Sequence, residues 1–345
     1  MDKYLKNHCS DTVNPYYYCF LHVFLTVTAG ILTLLIFISP AFSQTRYAYP
    51  PTEKYHFRHL TTEDGLPANM CLSVLNDAHG FLWISTRNGL CRYDGYNIKL
   101  YQNDPLDSTS ISDNTAGGPQ GMVLDRNGRL WISTYNNLNR FDAVSETFKR
   151  YRPDPANPGS IKGDRIYCLS PDNAGSLLIG TGGQQMYVNR YLPDQDQFIA
   201  FSLHPGNHHL THHAVLSVYE DSMGDLWAGT TDGLYEFDPT EDTFRLIPYM
   251  PKEQISGVSF SVNLIKEDID GILFLGSSYG FLTYDKEKNE LVPFDLLYHE
   301  GGNYDWMDIL PDPTDQNILW MALWRLYQYN RQEQSVIQIA YDPSG

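Results

Sequence analysis

An internal repeat runs from about residue 75 to the end of the chain, and it constrains the fold more than any other feature. Six copies of one phrase align; the second, LDRNGRLWISTYNNLNRFD, begins at Leu124, and the fourth, YEDSMGDLWAGTTDGLYEFD, begins at Tyr219. The central position of the phrase is occupied by Trp83, Trp131, Leu178, Trp227, Phe274 and Trp320, so successive copies are 46–49 residues apart. A period in the forties, with short apolar segments and turn residues, is typical of a β-propeller with one blade per repeat.

The phrase also predicts the strands within a blade. Five copies carry an aspartate followed three residues later by a glycine, at Gly80, Gly128, Gly175, Gly224 and Gly271. An Asp side chain closes such a turn and Gly accepts a positive φ, so we expect a hairpin between strands a and b. Strand b then carries the large apolar residue that fills the wedge between neighbouring blades. A Gly-containing turn leads to strand c, and strand d is expected at 97–101, 148–151, 198–203, 244–247, 291–294 and 336–340.

The predicted fold is therefore all-β, a propeller of four-stranded antiparallel blades over residues 55–345. The sixth repeat is degenerate, because Asp312 is followed by Asp315 rather than Gly, with a longer turn. Two ring sizes remain open. Either residues 56–60 supply an outer strand that closes a six-bladed ring, or a seventh blade lies beyond Gly345. The second is favoured, because the last residues, YDPSG, resemble the start of the linkers that follow Tyr101 and Tyr151.

The first 43 residues have the pattern of a signal peptide. Lys3 and Lys6 precede an uncharged run at 23–38, which is shorter than the ~20 residues that span a bilayer. Ala41 and Ser43 place small residues before an expected cleavage at Gln44. The alternative is an uncleaved signal anchor. Residues 44–54 would then be a linker, and the rest of the chain would be exported to the periplasm.

The charge of the chain limits its partners. With 24 Lys and Arg against 41 Asp and Glu, the formal net charge is −17. Such a chain repels phosphate backbones, so we expect no nucleic-acid partner. Contact with a membrane is expected only through a signal anchor or a C-terminal span that these residues do not contain.

The phrase D-x-x-G-x-[IL]-W-[IV]-[GS]-T-x-x-G-[LI]-x-[RK]-[FY]-D resembles the regulator-propeller repeat of bacterial hybrid two-component sensors. The opening segment FRHLTTEDGLPANMCLSVLND, with Asp64, Gly65, Leu66 and Asn69, resembles the same family. The resemblance covers essentially all of residues 55–345. It implies an exported sensor of oligosaccharides that regulates polysaccharide-utilisation genes through a histidine kinase, and it implies homodimerisation. No kinase histidine box or receiver occurs in these residues, so they are not expected to have kinase activity, and no cofactor is expected.

Candidate ligand contacts lie on the face formed by the d–a linkers and the b–c turns, where the repeats differ most. Sugar rings stack on Trp and Tyr, while their hydroxyls bond to polar groups. The candidates in b–c turns are Arg87, Tyr135, Tyr279 and Trp324, and those in a d–a linker are Tyr304 and Trp306. For each of them, ordinary packing at a blade edge is the alternative.

Three other patterns have simpler explanations. Residues 276–280, GSSYG, match the nucleophile-elbow pattern but align with b–c turns of other repeats. Residues 267–271 do not fit a calcium loop, because Lys266 and Ser277 would stand at ligand positions. Five histidines at 204–213 form an unusual cluster in a d–a linker, where a transition-metal site and a solvated loop are the two alternatives. The solvated loop is favoured, because no Cys or spaced carboxylate completes a site, and no metal ligand is assigned.

Three functions remain open on the sequence. The first is a sensor module that binds an oligosaccharide. The second is a secreted glycosidase or lyase, which would need two carboxylates facing each other across a cleft. Most acids here fall in hairpin turns, which argues against an enzyme. The third is a protein-interaction scaffold, because fold alone does not decide function.

Overall fold

The computed structural model describes residues 59–135, 137–203, 213–249, 260–286, 288–294, 308–322 and 325–339. Within these ranges the chain is almost entirely β-structure, with 24 strands, one 3₁₀ turn at Thr62–Asp64 and no α-helix. Within those ranges, no helix has the length and the apolar composition that a membrane span requires.

The strands form six consecutive blades of four antiparallel strands, and blades 3 and 4 are joined in one eight-stranded sheet where Gly182 pairs with Ala214. Blade 1 comprises β1 (Cys71–Asn76), β2 (Leu82–Thr86), β3 (Gly89–Tyr93) and β4 (Ile98–Tyr101). Blade 2 comprises β5 (Met122–Leu124), β6 (Leu130–Ser133), β7 (Leu138–Asp142) and β8 (Thr147–Tyr151). Blade 3 comprises β9 (Arg165–Pro171), β10 (Leu177–Gly183), β11 (Met186–Leu192) and β12 (Gln197–Leu203).

Blade 4 comprises β13 (His213–Glu220), β14 (Leu226–Thr230), β15 (Gly233–Asp238) and β16 (Thr243–Leu246). Blade 5 comprises β17 (Val262–Glu267), β18 (Leu273–Ser277), β19 (Gly280–Asp285) and β20 (Glu290–Pro293). Blade 6 comprises β21 (Asp308–Pro311), β22 (Ile318–Ala322), β23 (Leu326–Asn330) and β24 (Ser335–Gln338). The all-β propeller prediction is confirmed. The segments on which ring closure depends, 55–58 and 340–345, lie outside the described residues.

The a–b hairpins have the predicted turn chemistry. In blade 2, the carboxylate of Asp125 accepts the backbone N–H groups of Asn127 at 2.9 Å and Arg129 at 3.1 Å. Gly128 has φ +71°, a conformation that costs other residues about 1–2 kcal/mol. The equivalent glycines of blades 1, 3, 4 and 5 also have positive φ.

The central apolar residue of each repeat packs in the wedge between two blades. Trp83, Trp131 and Trp227 are almost completely buried, and so are Leu178 and Phe274, which replace Trp in blades 3 and 5. Each of the three buried indoles meets an aromatic ring on strand c of the following blade: Phe141 at 4.9 Å, Tyr191 at 4.8 Å and Tyr284 at 5.0 Å between ring centroids. Trp320 is only partly buried, so it alone departs from the expected burial.

The turn aspartate has a second role that the repeat pattern did not predict. Its other carboxylate oxygen accepts the indole N–H of the same repeat: Asp77 from Trp83 at 2.8 Å, Asp125 from Trp131 at 3.0 Å, Asp221 from Trp227 at 2.9 Å and Asp312 from Trp320 at 2.8 Å. The longer turn of the sixth repeat thus keeps the same contact.

In the blades without the central Trp, an arginine lies beside the turn aspartate. In blade 3, with Leu178, Arg190 lies 3.5 Å from the carboxylate of Asp172. In blade 5, with Phe274, Arg331 of the following blade lies 3.0 Å from the carboxylate of Asp268. Blades 2 and 4, which keep the Trp, also pair this aspartate with a cation, so a basic partner accompanies the buried carboxylate with or without the indole.

The small residue that follows the central apolar segment makes room for the next blade. A Cβ at Gly180 would lie 2.3 Å from the sulfur of Cys168 and 2.8 Å from a Val215 methyl, and a Cβ at Gly229 would lie 2.6 Å from the Val262 carbonyl oxygen. Val215 and Val262 lie near the start of strand a of blades 4 and 5. Close approach of the inner strands therefore explains why these positions lack a large side chain.

Candidate functional site

Two of the d–a linkers have the same structure on the predicted binding face. Each buries one isoleucine, Ile111 or Ile161, with 0% and 1% of its surface exposed. The backbone N–H after each isoleucine donates to a buried asparagine on strand c of the following blade, to Asn139 at 3.0 Å and to Asn189 at 2.8 Å. Although these two linkers are polar in composition, a buried isoleucine and a hydrogen bond to the following blade hold each of them in place.

The best-formed cluster on this face joins blades 2 and 3. Tyr135, in the b–c turn of blade 2, is 48% exposed. The guanidinium carbon of Arg165, at the start of β9, lies 4.0 Å from the centroid of that ring, a cation–π contact. Burial raises the pKa of the Tyr167 hydroxyl, and a hydrogen bond from Arg165 opposes that rise. Arg165 thus contacts both Tyr135 and Tyr167, and Tyr135 is exposed enough to contact a ligand.

The other predicted contacts are distributed differently. Arg87, in the b–c turn of blade 1, is exposed. Tyr279 is 4% exposed and lies 6.2 Å from the ring of Phe260, so it is part of the packing below the face. Tyr304, Trp306 and Trp324 lie outside the described residues. Of the six candidates, the structure therefore places Arg87 and Tyr135 at the surface, and their role in binding stays a prediction.

A loop of blade 2 crosses the centre of the ring near this face. Strand a of blades 1, 4 and 5 carries a bulge at the same register position, for example between Val262 and Leu264. In blade 2, Ala116 forms an isolated β-bridge with Thr134, and continuous pairing of strands a and b begins only at Met122, opposite Ile132. The intervening residues, GGPQG at 117–121, form a loop in place of the bulge.

This loop contacts blade 5, three blades away. The side-chain nitrogen of Gln120 donates to the backbone oxygen of Asn263 at 2.8 Å, and the backbone oxygen of Gln120 accepts the N–H of Leu169 at 2.7 Å. Gly117 has φ +61°, and a Cβ on Gly121 would lie 2.3 Å from the Cα of Gly117. Glycine is therefore required for the loop to fold back on itself and reach across the centre.

Sequence reasoning missed Arg165, Tyr167 and Gln120 as residues of this face. The signal for Gln120 was the segment GGPQG, which interrupts an otherwise apolar strand a. The repeat period concealed it, because the spacing from Trp83 to Trp131 is within the range of the other blades. Arg165 and Tyr167 have no local signal, since their proximity to Tyr135 comes from the packing of two blades.

The remaining sequence patterns can be placed in the described part of the chain. It contains no group of three or more His, Cys, Asp or Glu side chains placed to hold a metal ion. Ser278, the serine of GSSYG, is 4% exposed and lies in the hairpin turn between β18 and β19, as predicted. Of the histidine cluster, only His213 is described, at the start of β13; His204, His208, His209 and His212 lie outside the described residues.

Comparisons with known proteins agree with the repeat and the fold. No family model matches the chain. Over 83 residues, 24% of this chain, it is 35% identical to Histidine kinase P4 of Formosa agariphila, of which it covers 6%.

Two solved structures have a similar fold. The extracellular domain of a putative hybrid two-component system from B. thetaiotaomicron has 18% identity and a TM-score of 0.50, over 80% of this chain and 44% of that chain. The β-propeller domain of Swd1 from Myceliophteria thermophila has 13% identity and a TM-score of 0.51, over 81% of this chain and 88% of that chain.

The chain thus spans less than half of the Bacteroides domain and a small part of the kinase. It is similar in sequence to a histidine kinase and in fold to the extracellular domain of a hybrid two-component system, which confirms the predicted resemblance to a regulator-propeller region.

Proposed function

We propose that this chain is part of the exported sensor region of a hybrid two-component system. The observation that carries the proposal is the regulator-propeller repeat, which recurs in six blades with a degenerate sixth copy and is accompanied by sequence similarity to a histidine kinase over 83 residues. In this proposal, residues 1–43 direct export to the periplasm, and the propeller acts as a homodimer that passes its signal to a histidine kinase module.

The ligand in this proposal is an oligosaccharide bound at the face of the d–a linkers and b–c turns. Tyr135 provides an exposed aromatic ring, and Arg165 beside it provides hydrogen-bond donors for hydroxyl groups. This pairing of a stacking surface with fixed polar groups is what sugar recognition requires. The fixed linkers around it limit the entropy lost on binding.

Calorimetry of the mature chain against plant and host oligosaccharides tests the proposal. We expect an oligosaccharide to bind, and we expect Tyr135→Ala to weaken it by about tenfold, since stacking contacts of this kind contribute about 1 kcal/mol or more. Tyr96→Ala is the matched control, because Tyr96 is 92% exposed in the c–d turn of blade 1, on the opposite face.

Three results would contradict the proposal. Equal effects of Tyr135→Ala and Tyr96→Ala would refute the assigned face. Release of reducing sugar from a polysaccharide would favour an enzyme. Failure to bind any glycan in the panel would favour a protein-interaction scaffold.

A further inference from the structure

A crevice of about 390 Å³ opens between blades 1 and 2 on the face opposite to the d–a linkers. It is bounded by the a–b hairpins of the two blades and by the c–d turn of blade 2. Its polar lining includes Arg92, Arg129, Arg140, Asp77 and Asp142, and its apolar lining includes Phe81. The volume is within the range of small-molecule sites, about 300–1,000 Å³.

The crevice lies where a hydrogen bond found at three other blade boundaries is missing. Between blades 2 and 3, the N–H of Arg126 donates to the Gly175 carbonyl oxygen at 2.8 Å. Between blades 3 and 4 and between blades 4 and 5, the N–H groups of Asn173 and Ser222 donate to glutamates of the next blade at 2.6 and 2.7 Å. Among the described residues, no such bond joins the hairpins of blades 1 and 2.

The hairpin glycines show the free space at this boundary. A Cβ on Gly175 would lie 2.4 Å from the Cβ of Arg126, across the boundary of blades 2 and 3. A Cβ on Gly80, Gly128 or Gly224 would meet nothing within 4 Å. The boundary between blades 1 and 2 therefore has open space beside both of its hairpin glycines, whereas the boundary between blades 2 and 3 is filled.

Two arginines of this space have unused donors. Arg92 donates through one terminal nitrogen to Glu146 at 3.0 Å, and Arg129 donates through Nε to Asp125 at 2.7 Å. Within the described ranges, at least one terminal nitrogen of each of these two guanidinium groups has no protein acceptor. Arg140 also borders the crevice, but its guanidinium donates to the Tyr191 hydroxyl of blade 3 at 3.0 Å and lies 3.5 Å from Asp196, so it is engaged at the next blade boundary.

The two carboxylates of the crevice are already occupied by donors of their own turns. Asp77 accepts the N–H groups of His79 and Phe81, at 2.9 and 3.0 Å, and the indole of Trp83. Asp142 accepts the N–H groups of Val144 and Ser145 at 3.0 and 2.9 Å. These acids compete weakly for the arginines, so the crevice has spare donors for an oxyanion although the chain as a whole is acidic.

We propose that the crevice between blades 1 and 2 binds a small carboxylate-bearing molecule through Arg92 and Arg129. Guanidinium groups match the planar, two-oxygen geometry of a carboxylate. The Arg92 guanidinium carbon lies 4.7 Å from the centroid of the Phe81 ring, a cation–π contact at the wall of the crevice. This site is separate from the oligosaccharide face and does not depend on it.

Calorimetry of the mature chain at low ionic strength tests this site with D-glucuronate, D-glucose and inorganic phosphate. Glucuronate and glucose differ only in the carboxylate, so we expect glucuronate to bind at least about tenfold more tightly. Arg129→Gln should weaken glucuronate by about tenfold. Arg245→Gln is the matched control, because Arg245 also pairs with one carboxylate, that of Glu236 at 2.8 Å, but on blade 4.

A second pair of variants keeps the test independent of folding. Val144 lines the crevice and is 96% exposed, so charge can be placed there without disturbing the core. Val144→Glu should weaken glucuronate binding and Val144→Lys should strengthen it. Equal binding of glucose and glucuronate, phosphate binding as tight as glucuronate binding, or equal effects of Arg129→Gln and Arg245→Gln would overturn the inference. Loss of glucuronate binding in Tyr135→Ala would place the anion on the other face and would overturn it without affecting the proposed function.

Discussion

The side chain of Asp196 joins blades 2 and 3 by a network that can be tested with one substitution. Its Oδ1 accepts the hydroxyls of Tyr151 and Tyr191, each at 2.7 Å, and lies 3.5 Å from Arg140. Its Oδ2 pairs with Lys149. Asp196 itself stands in a c–d turn with φ +53°, which Asn adopts at least as readily as Asp. Asp196→Asn therefore removes the charge without straining the turn.

The expected loss of stability follows from the pKa of this carboxyl group. Burial opposes the charged form, but the bonds from Lys149, Tyr191 and Tyr151 hold the pKa of Asp196 at about 2, below the ordinary value of 3.8. That difference corresponds to about 2 kcal/mol. Because the side chain is 35% exposed, solvent screening reduces the expected contribution to about 1 kcal/mol.

Urea unfolding at pH 7, followed by tryptophan fluorescence, measures the loss. Asp242→Asn is the matched control, because Asp242 occupies the same turn position, with φ +52°, and is exposed without a side-chain partner in the described part of the chain. We expect Asp196→Asn to lower the free energy of unfolding by about 1 kcal/mol and Asp242→Asn to change it by less than about 0.5 kcal/mol.

The pH dependence has a definite sign. Because the folded pKa of Asp196 is below its unfolded value, the stabilisation is complete above about pH 4 and is lost as the pH falls towards 2. The difference between the wild-type chain and Asp196→Asn should therefore shrink over that interval. Equal losses for Asp196→Asn and Asp242→Asn, or a difference that does not change with pH, would refute the reasoning.

Two further predictions concern the packing. Trp131→Ala should lower the free energy of unfolding by about 3–5 kcal/mol, because its indole is fully buried. Trp320→Ala should lower it by less, because Trp320 is only partly buried. Equal losses for the two variants in urea titrations would contradict this difference in burial. Gly121→Ala should lower the melting temperature strongly, because its Cβ would lie 2.3 Å from the Cα of Gly117, whereas Gly80→Ala should cost only about 1–2 kcal/mol of backbone strain. A Gly121→Ala chain as stable as Gly80→Ala would show that the central loop is not packed as described.

Local sequence determined the architecture, because every blade is built from contacts close in the chain. The aspartate and glycine of each a–b turn act within a few residues, as the bonds of Asp125 to Asn127 and Arg129 show. Alternation of short apolar runs and turns then sets the strands. Strand d of blade 2, predicted at 148–151, spans Thr147–Tyr151, and strand d of blade 3, predicted at 198–203, spans Gln197–Leu203.

Contacts between blades were decided only by the tertiary structure, since they join residues that are far apart in sequence or have no distinctive neighbours. Arg331 of blade 6 pairs with Asp268 in the a–b turn of blade 5, more than sixty residues earlier in the chain. The reach of Gln120 to Asn263 depends on how blades 2 and 5 face each other across the centre. Burial of Tyr279 and exposure of Tyr135, two tyrosines in equivalent turns, depend on what the neighbouring blade places beside each ring. A repeat specifies each blade alone, whereas the surfaces that could bind a ligand are formed where unlike blades meet.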